Sequence, residues 1–245
     1  MRYLAILMLS LFPVSALAGE VVSYEVDGEA FEGYRAAPDG TSKGMVLVIH
    51  DWDGLTDYEV KRAEMLADMG YHAFAVDLYG KGNRPVETSA KKAETGKLYK
   101  DRARMRSLIM GGLEVARGGE AMATVVMGYC FGGAATLELA RSGLASDIAG
   151  YATFHGGLST PEGQSYAADT APLLIAHGGA DTAISMDDVA GLSTTLEEAG
   201  VPYEIQVYSG APHAFTVIGS SRYQERADTQ SWDAFSDFLT TNLGG

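Results

Sequence analysis

Unbroken apolar segments alternate with amphipathic segments from about residue 45 to the end of the chain. The run "MVLVIH" at 45–50 is typical of a strand that is buried on both faces of a sheet. The segment from about Asp57 to Met69 has apolar residues at roughly helical spacing and is followed by Gly70, a residue that commonly ends helices. Strands that alternate with helices predict βαβ units, a mainly parallel sheet and helices on both of its faces.

The same alternation continues along the chain. Further strands and their exits are predicted at 71–80, 121–128, 147–157, 171–181 and 201–215, and helices at 131–143, 185–199 and about 222–240. A charged, helix-favouring segment spans about 89–117, with Gly96 and Gly111-Gly112 as possible breaks. Residues 20–36 read as two alternating strands around Asp27-Gly28, so we expect an N-terminal antiparallel hairpin at the edge of the sheet.

The first 18 residues have the pattern of a secretory signal peptide. A basic Arg2 precedes an apolar stretch from Leu4 to Phe12, and Ala16-Leu17-Ala18 offers small residues before a cleavage point. The apolar stretch is about half of the ~20 residues that span a bilayer, which disfavours a membrane anchor. We therefore expect export to the periplasm or the medium, and a mature chain of one α/β domain over residues 19–245.

Charge and cysteine content narrow the classes of function. The formal net charge of −14 repels phosphate backbones, so nucleic-acid binding is not expected, and no later apolar stretch predicts a membrane span. The chain has one cysteine, Cys130, and so no intrachain disulfide. In an exported protein a lone thiol is exposed to oxidation, so it is either buried and inert or required for chemistry.

The lone cysteine lies in the stretch "VVMGYCFGGAAT", between a predicted strand and a predicted helix. Gly128-Tyr129-Cys130-Phe131-Gly132 fits the nucleophile-elbow pattern G-x-S-x-G with cysteine in place of serine. Such a turn presents the nucleophile at the carboxyl edge of the sheet and at a helix N-terminus, where partial positive charge favours thiolate. The pattern predicts a cysteine nucleophile.

A thiol nucleophile needs a base, and the base needs an orienting acid. In this architecture the chain order is nucleophile, acid, histidine. Asp181 in "HGGADT" and His213 in "GAPHAF" follow Cys130 in that order, each at the exit of a predicted strand. Asp187 and Asp188 are alternative candidates for the acid.

The remaining histidines are weaker candidates. His155 follows a strand into Gly156-Gly157 and is a candidate to line the site, whereas His72 lies at a strand start and His177 favours a structural role. No H-E-x-x-H or comparable spacing supports a metal site, so neither a metal nor another cofactor is expected.

Four segments together carry a family resemblance: "VLVIHDWDGLTDYEVKRAEMLADMGYHAFAVDLYG", "GYCFGG", "HGGAD" and "GAPHAF". They resemble the dienelactone hydrolase family, a cysteine branch of the α/β-hydrolase fold, over essentially the whole chain from about residue 21. The resemblance implies that Cys130 is the nucleophile, Asp181 the acid and His213 the base.

The resemblance also implies roles for the loop after the first parallel strand. The family has a glutamate there that interacts with the resting thiol, and the matching residue here is the shorter Asp51. A carboxylate beside a thiol opposes thiolate formation, so Asp51 is a candidate to regulate Cys130 or simply to shape the loop. The backbone N–H groups of Trp52 and Phe131 are the expected oxyanion-hole donors.

The expected substrate site departs from the family. Dienelactone hydrolases bind the substrate carboxylate with arginines, one of them four residues after the catalytic histidine. That position is Val217 here, and the next arginine is Arg222. Aromatic and imidazole side chains at strand exits are instead candidates for a pocket that takes an uncharged acyl group: Trp52, Tyr79, Tyr129, His155 and Phe215.

The sequence thus predicts an exported hydrolase of small-molecule esters, thioesters or lactones that acts through a thioester acyl-enzyme, with a monomer favoured. The alternative is a non-catalytic or weakly active binding protein on the same scaffold, because fold alone does not fix function. A redox-sensor role for Cys130 is weaker, because the chain has no second cysteine to resolve an oxidised thiol.

Overall fold

The computed structural model describes residues 19–244, so the predicted signal peptide at 1–18 lies outside the described residues. The strands are β1 (Gly19–Val26), β2 (Glu29–Ala36), β3 (Met45–Ile49), β4 (His72–Val76), β5 (Thr124–Tyr129), β6 (Ile148–Phe154), β7 (Leu173–Gly178) and β8 (Tyr203–Tyr208). The helices are α1 (Asp57–Asp68), α2 (Thr88–Lys100), α3 (Arg102–Arg117), α4 (Phe131–Ser142), α5 (Met186–Ala199) and α6 (Glu225–Leu243).

The strands form one sheet in the order β1-β2-β4-β3-β5-β6-β7-β8. Strands β3 to β8 run parallel to one another, whereas β1 and β2 form an antiparallel hairpin, and β2 pairs antiparallel with β4. The predicted α/β-hydrolase architecture with an N-terminal antiparallel hairpin is confirmed.

Helices cover both faces of the sheet, which explains the continuous apolar runs of the central strands. Apolar residues of α3, α4 and α5 form one core layer with side chains such as Leu47 and Val126. Residues of α1 and α6 form the other layer with the alternate strand positions, such as Val48 and Met127. The central strands are therefore buried on both sides.

The charged segment predicted over 89–117 contains two helices rather than one. The break is at Asp101, whose carboxylate accepts from Arg104 N at 2.9 Å and caps α3. Neither predicted glycine break occurs. A Cβ on Gly111 or Gly112 would lie 2.5 or 2.2 Å from a valine of the sheet, so these glycines let α3 pack closely.

The loops that follow β3, β5, β7 and β8 meet at one edge of the sheet because parallel strands place their carboxyl ends together. These loops carry Asp51, Cys130, Asp181 and His213. Within residues 19–244 no helix is long and apolar enough to cross a membrane.

Candidate active site

Cys130 occupies the tight turn between β5 and α4. Its φ of 50° and ψ of −109° are unusual for a non-glycine residue and turn the chain sharply between the strand and the helix. The flanking glycines are required by space: a Cβ on Gly128 would lie 2.2 Å from the Gly132 oxygen, and one on Gly132 would lie 2.2 Å from the Ile49 oxygen. The structure thus has the strained elbow that the motif predicts.

The three residues predicted as nucleophile, base and acid form one hydrogen-bonded chain. His213 Nε2 lies 3.1 Å from Cys130 Sγ, and His213 Nδ1 lies 2.8 Å from Asp181 Oδ2. Since the carboxylate can only accept, Nδ1 carries a proton and Nε2 of the neutral ring is free to take the proton of the thiol. This geometry is that of a nucleophile, a base and an orienting acid.

The acid is held by its own loop. Asp181 Oδ1 accepts from the backbone N–H groups of Ala183 at 2.8 Å and Ile184 at 3.0 Å. Burial favours the neutral acid, but the hydrogen bonds from His213 and these two N–H groups outweigh it and lower the pKa of Asp181. Asp188 instead completes the capping box of α5 with Ser185, so it does not contact His213.

The Cys130 thiol is neutral at rest. Burial is the largest effect and raises its pKa to about 12, assisted by the negative charge of an ionised Asp51. The N–H of Phe131 at the start of α4 acts in the opposite direction, as does Arg222. The helix N-terminus thus favours the thiolate, as expected, but desolvation of the anion is the larger effect and keeps the thiol protonated.

Asp51 is a buried acid with a raised pKa. Burial raises its pKa to about 9, and the carboxylates of Asp53 and Glu59 act in the same direction. Its Oδ1 accepts from Asp53 N at 2.9 Å, and its own N–H donates to Glu59 Oε1 at 3.3 Å. Asp51 is thus a neutral carboxylic acid at pH 7 rather than the carboxylate expected from the resemblance.

The loop that carries Trp52 is fixed from three sides. His50 Nε2 accepts from Leu78 N at 3.1 Å, so its Nδ1–H donates to the backbone oxygen of Asp51 at 2.6 Å. Tyr79 donates its hydroxyl to the Trp52 oxygen at 3.2 Å. Lys91 of α2 lies 5.3 Å from the centre of a Trp52 ring and pairs with the Asp53 carboxylate at 3.0 Å. The backbone at Trp52 is therefore held rigidly, as an oxyanion-hole donor must be.

The predicted pocket residues separate into two groups. Trp52 and Tyr79 are half-buried, and the ring centre of Tyr79 lies 5.9 Å from that of Phe131, the residue after Cys130. Tyr129, His155 and Phe215 were predicted to line the pocket, but each has 0 % of its surface exposed. They cannot line an open pocket and instead pack behind the site.

Side chains along β5 point alternately to the two faces of the sheet, which explains why the prediction for Tyr129 is wrong. Its side chain enters the layer of α1 and α6, where it contacts Tyr58 at 5.0 Å and Phe154 at 5.1 Å between ring centres. Tyr99 of α2 was not among the predicted pocket residues, yet it is 38 % exposed and its ring lies edge-on to Phe131, with ring centres 5.4 Å apart. An aromatic residue after buried Leu98 in a charged helix is the only sequence signal for it.

The position of the family arginine is occupied by Val217, as the sequence shows. Arg222 is exposed, yet its charge lowers the pKa of Cys130, so it lies within electrostatic range of the thiol. Between residues 19 and 244, no group of three or more metal-binding side chains is arranged to hold a metal ion.

Fold and site together define an α/β hydrolase with a cysteine at the nucleophile elbow. The chain belongs to the dienelactone hydrolase family, whose model matches residues 31–243. It is similar to proteins named "putative carboxymethylenebutenolidase" from two bacteria. The protein of Aquifex aeolicus is 25% identical over 92% of this chain and 99% of its own length. That of Salmonella typhimurium is 26% identical over 93% of this chain and 88% of its own length.

A solved structure is similar along its whole length. The dienelactone hydrolase-like promiscuous phosphotriesterase P91 from metagenomic libraries superposes with a TM-score of 0.81 at 25% identity. The match covers 91% of this chain and 98% of that chain.

Proposed function

We propose that this protein hydrolyses esters, thioesters or lactones by attack of Cys130 on the carbonyl carbon, with His213 as base and Asp181 as the orienting acid. The observation that carries the proposal is the hydrogen-bonded chain from sulfur to carboxylate, 3.1 Å at the thiol and 2.8 Å at the acid. No metal or other cofactor is needed for this chemistry.

The raised pKa of the thiol determines the order of events. Because Cys130 is protonated at neutral pH, Nε2 of His213 must accept the thiol proton as the C–S bond forms. The carbonyl π electrons move to oxygen, and the N–H groups of Trp52 and Phe131 stabilise that oxyanion by a few kcal/mol each. The oxyanion then reforms the carbonyl, the bond to the leaving oxygen or sulfur breaks, and the leaving group takes the proton from His213.

Water completes the cycle. His213 Nε2 takes a proton from a water molecule as its oxygen attacks the thioester carbonyl carbon. The C–S bond then breaks, the acid product departs, and the sulfur regains a proton from His213. Each step conserves the charge of the resting site.

Asp51 supports acylation as a neutral acid in this proposal. A protonated carboxyl beside the thiol adds no negative charge that would oppose the thiolate character of the transition state. Above its pKa of about 9 the ionised group would suppress attack. Asp51 is therefore a regulator whose effect depends on its own protonation.

The surroundings of the thiol support a substrate with an apolar acyl group. Trp52, Tyr79, Tyr99 and Phe131 place aromatic rings around the loop and helix that hold the nucleophile. The relatives carry the name "putative carboxymethylenebutenolidase", and by that similarity lactones are candidate substrates here. Val217 at the arginine position argues against the carboxylate recognition of dienelactone hydrolases proper.

We further propose that the protein is exported and acts as a monomer. The basic, apolar and small-residue pattern of residues 1–18 supports export. A lone thiol that is protonated at rest is also suited to an oxidising compartment, since the thiolate is the form that oxidises.

The test is hydrolysis of p-nitrophenyl acetate and butyrate by wild-type protein, Cys130→Ala, Asp181→Asn and Asp188→Asn. We expect Cys130→Ala to lose turnover by about 10³-fold or more and Asp181→Asn by about 10²-fold or more. Asp188→Asn is the matched control, because its carboxylate caps α5, and we expect turnover within about twofold of wild type.

Mass spectrometry of the quenched reaction identifies the acylated residue. An acyl adduct on Cys130 supports the mechanism, and an adduct on any other residue contradicts it. Wild-type protein that neither turns over these esters nor forms an adduct would favour the binding-protein alternative.

A further inference from the structure

A chain of buried polar side chains extends behind the proposed catalytic histidine. Arg62, Tyr58, Thr216 and His155 connect in that order, from α1 to the end of β6. Arg62, Thr216 and His155 are each at most 1 % exposed. Buried polar groups are costly unless paired, so a linked set of them next to a reactive site calls for a function.

The chain ends against the ring of His213. The His155 ring lies edge-on to it, with centres 5.3 Å apart and planes at 64°. His155 itself has a positive φ of 41°, and its ring also lies edge-on to Phe215 at 5.4 Å. A non-glycine residue in this conformation is held there by its surroundings.

Counting donors fixes the direction of the hydrogen bonds. Arg62 can only donate, so the Tyr58 hydroxyl accepts from its Nε at 3.4 Å and gives its own proton to Thr216 at 2.6 Å. Thr216 then donates to His155 Nε2 at 2.8 Å. The neutral imidazole of His155 therefore carries its proton on Nδ1.

Hydrogen bonds donated in the reverse direction would leave more buried polar groups without partners. Thr216 would then donate to Tyr58, and the Tyr58 proton could go only to the buried Tyr129 hydroxyl, whose own proton would then have no acceptor, in addition to the unpartnered His155 Nδ1. In the first arrangement Tyr58 remains able to accept from Tyr129, and among the four linked side chains only the Nδ1–H of His155 lacks a partner. Fewer unsatisfied buried groups favour it.

The start of the chain is anchored by charge. Arg62 forms an ion pair with Asp228 and donates to the Thr216 backbone oxygen at 2.8 Å. Its guanidinium also lies 4.9 Å from a Trp232 ring centre. Arg62 thus binds the backbone oxygen of Thr216 directly. It contacts the hydroxyl of Thr216 indirectly, through the Tyr58 hydroxyl.

His213 needs this support because its two hydrogen bonds define only an axis. The bonds at Nδ1 and Nε2 align the ring along the line that joins Asp181 and Cys130 but resist tilting about that line only weakly, so the tilt depends on the attachment through Cβ and on the neighbouring rings. Acylation removes the second bond, because the sulfur then has no proton to share. Contacts from neighbouring rings must then hold the imidazole in place for the attack of water.

We propose that Arg62, Tyr58, Thr216 and His155 form a positioning relay, in which His155 as a neutral Nδ1–H imidazole holds the ring of His213 in place while Cys130 carries the acyl group. The relay rests on the proposed function of the triad. It acts in deacylation, the second half of the proposed reaction. His155 touches His213 and not the substrate, so it is a positioning residue.

Charged neighbours are consistent with a neutral His155. Burial lowers its pKa well below the ordinary value of 6.5, and the charge of a protonated His213 lowers it further. Asp181 acts in the opposite direction, and Arg62 in the same direction as His213. A second cation therefore does not form beside His213 when it holds a proton during the reaction.

The kinetic test compares Thr216→Val with Thr216→Ser. Valine keeps the shape of threonine and removes the hydroxyl, whereas serine keeps the hydroxyl. Formation and decay of the Cys130 acyl adduct are followed by rapid quench and mass spectrometry with p-nitrophenyl acetate. We expect Thr216→Val to slow adduct decay by about tenfold with formation changed by less than about threefold, and Thr216→Ser to restore decay.

A matched control is Thr124→Val at the opposite end of the sheet. Thr124 is also fully buried, and its hydroxyl accepts from Arg117 Nε at 3.0 Å and donates to the Met122 oxygen at 2.8 Å. This variant should lose stability without a change in either rate. Equal slowing of both steps in Thr216→Val, or a failure of serine to restore decay, would overturn the relay.

NMR of the wild-type imidazole nitrogens gives a readout that needs neither a variant nor turnover. At pH 6 we expect His155 to be neutral with its proton on Nδ1. A proton on Nε2, or a doubly protonated ring, overturns the relay even if the esterase chemistry holds. The expected His155 state in a protein that forms no acyl adduct would instead refute the proposed function while leaving the arrangement of the relay supported.

Discussion

The protonation of Cys130 can be measured through its alkylation by iodoacetamide as a function of pH. The thiolate is the reacting species, and the chain has one cysteine, so every adduct reports on one sulfur. Cys130 is partly exposed as a residue, and iodoacetamide is a small reagent. The shape of the pH profile depends on ionisation and is independent of steric hindrance.

The raised pKa of Cys130 determines how much slower the alkylation should be. A pKa of about 12 in place of the ordinary 9.0 corresponds to about 4 kcal/mol against the thiolate. A pKa of about 12 would leave about one thiol in 10⁴ ionised at pH 8, compared with about one ordinary thiol in ten, but this value includes the charge of an ionised Asp51, which is absent below pH 9. We expect alkylation between about 10-fold and 10³-fold slower than for the same cysteine in urea-unfolded protein, with a rate that rises about tenfold per pH unit from pH 7 to 9.

Asp51→Asn separates the contribution of the neighbouring acid. Asp51 is protonated below its pKa of about 9, so the variant and the wild type should react at rates within about twofold of each other up to pH 8. Above pH 9 the wild type gains a carboxylate that opposes the thiolate, and Asp51→Asn should react faster. Asparagine keeps the acceptor for Asp53 N, which makes this variant a conservative one.

Two results would refute this reasoning. A wild-type rate that is constant between pH 6 and 8 would mean that the thiolate is already formed and paired with protonated His213, so burial would not control the site. Profiles of wild type and Asp51→Asn that coincide up to pH 10.5 would mean that the charge of Asp51 does not reach the sulfur.

Five further substitutions, two of them controls or partners of the others, test the contacts that support the site. Arg62→Met leaves Asp228 without its cation and should cost about 3–5 kcal/mol in urea unfolding, most of it recovered when Asp228→Leu is added; no recovery would contradict the ion-pair account. Gly132→Ala places a Cβ 2.2 Å from a backbone oxygen of β3 and should lower ester turnover by about 10²-fold. The control is Gly191→Ala in α5, where a Cβ meets open space, and it should raise the free energy of unfolding by about 1 kcal/mol. Lys91→Met removes an ion pair to the oxyanion loop and should lower kcat with a stability loss of at most about 1 kcal/mol by thermal melting; an unchanged kcat would mean that the loop does not need it.

The fold could be predicted from the sequence because its signals are local and repeated. Five-residue apolar runs, helix-ending glycines and the Asp27-Gly28 turn each report on a few neighbouring residues, and parallel strands then place the loops at one edge. The break at Asp101 was missed because Gly96 and Gly111 appear more disruptive in sequence than in packing. Glycine in α3 is retained for contact with the sheet, a tertiary reason with no local signal.

The arrangement of the three predicted catalytic residues could be predicted from the sequence, whereas their surroundings could be predicted only in part. Cys130, Asp181 and His213 come together as expected because each lies in the turn directly after a strand. Whether a strand-exit side chain faces the opening or the core depends on the last one or two backbone angles. His155, with its positive φ, and Tyr129 therefore lie behind the site rather than in it.

Ionisation was the least predictable property, because it is a balance of long-range effects. The helix N-terminus at Phe131 favours the thiolate, as the motif indicates, but burial of the sulfur is larger and acts in the opposite direction. The same burial keeps Asp51 protonated and His155 neutral. The sequence shows which titratable groups are present. Whether each of them is charged depends largely on how far the fold removes it from water.

These neutral groups have a consequence for the rate of the proposed reaction. With the thiol and Asp51 both protonated, Asp181 is the ionised carboxylate of the site. Acylation then creates charge on the substrate oxygen and on His213 together, so it depends strongly on the two oxyanion donors and on the acidity of the leaving group. Activated esters such as p-nitrophenyl acetate should therefore acylate Cys130 much faster than alkyl esters do. Deacylation has no such leaving-group dependence, because every substrate with the same acyl group gives the same thioester.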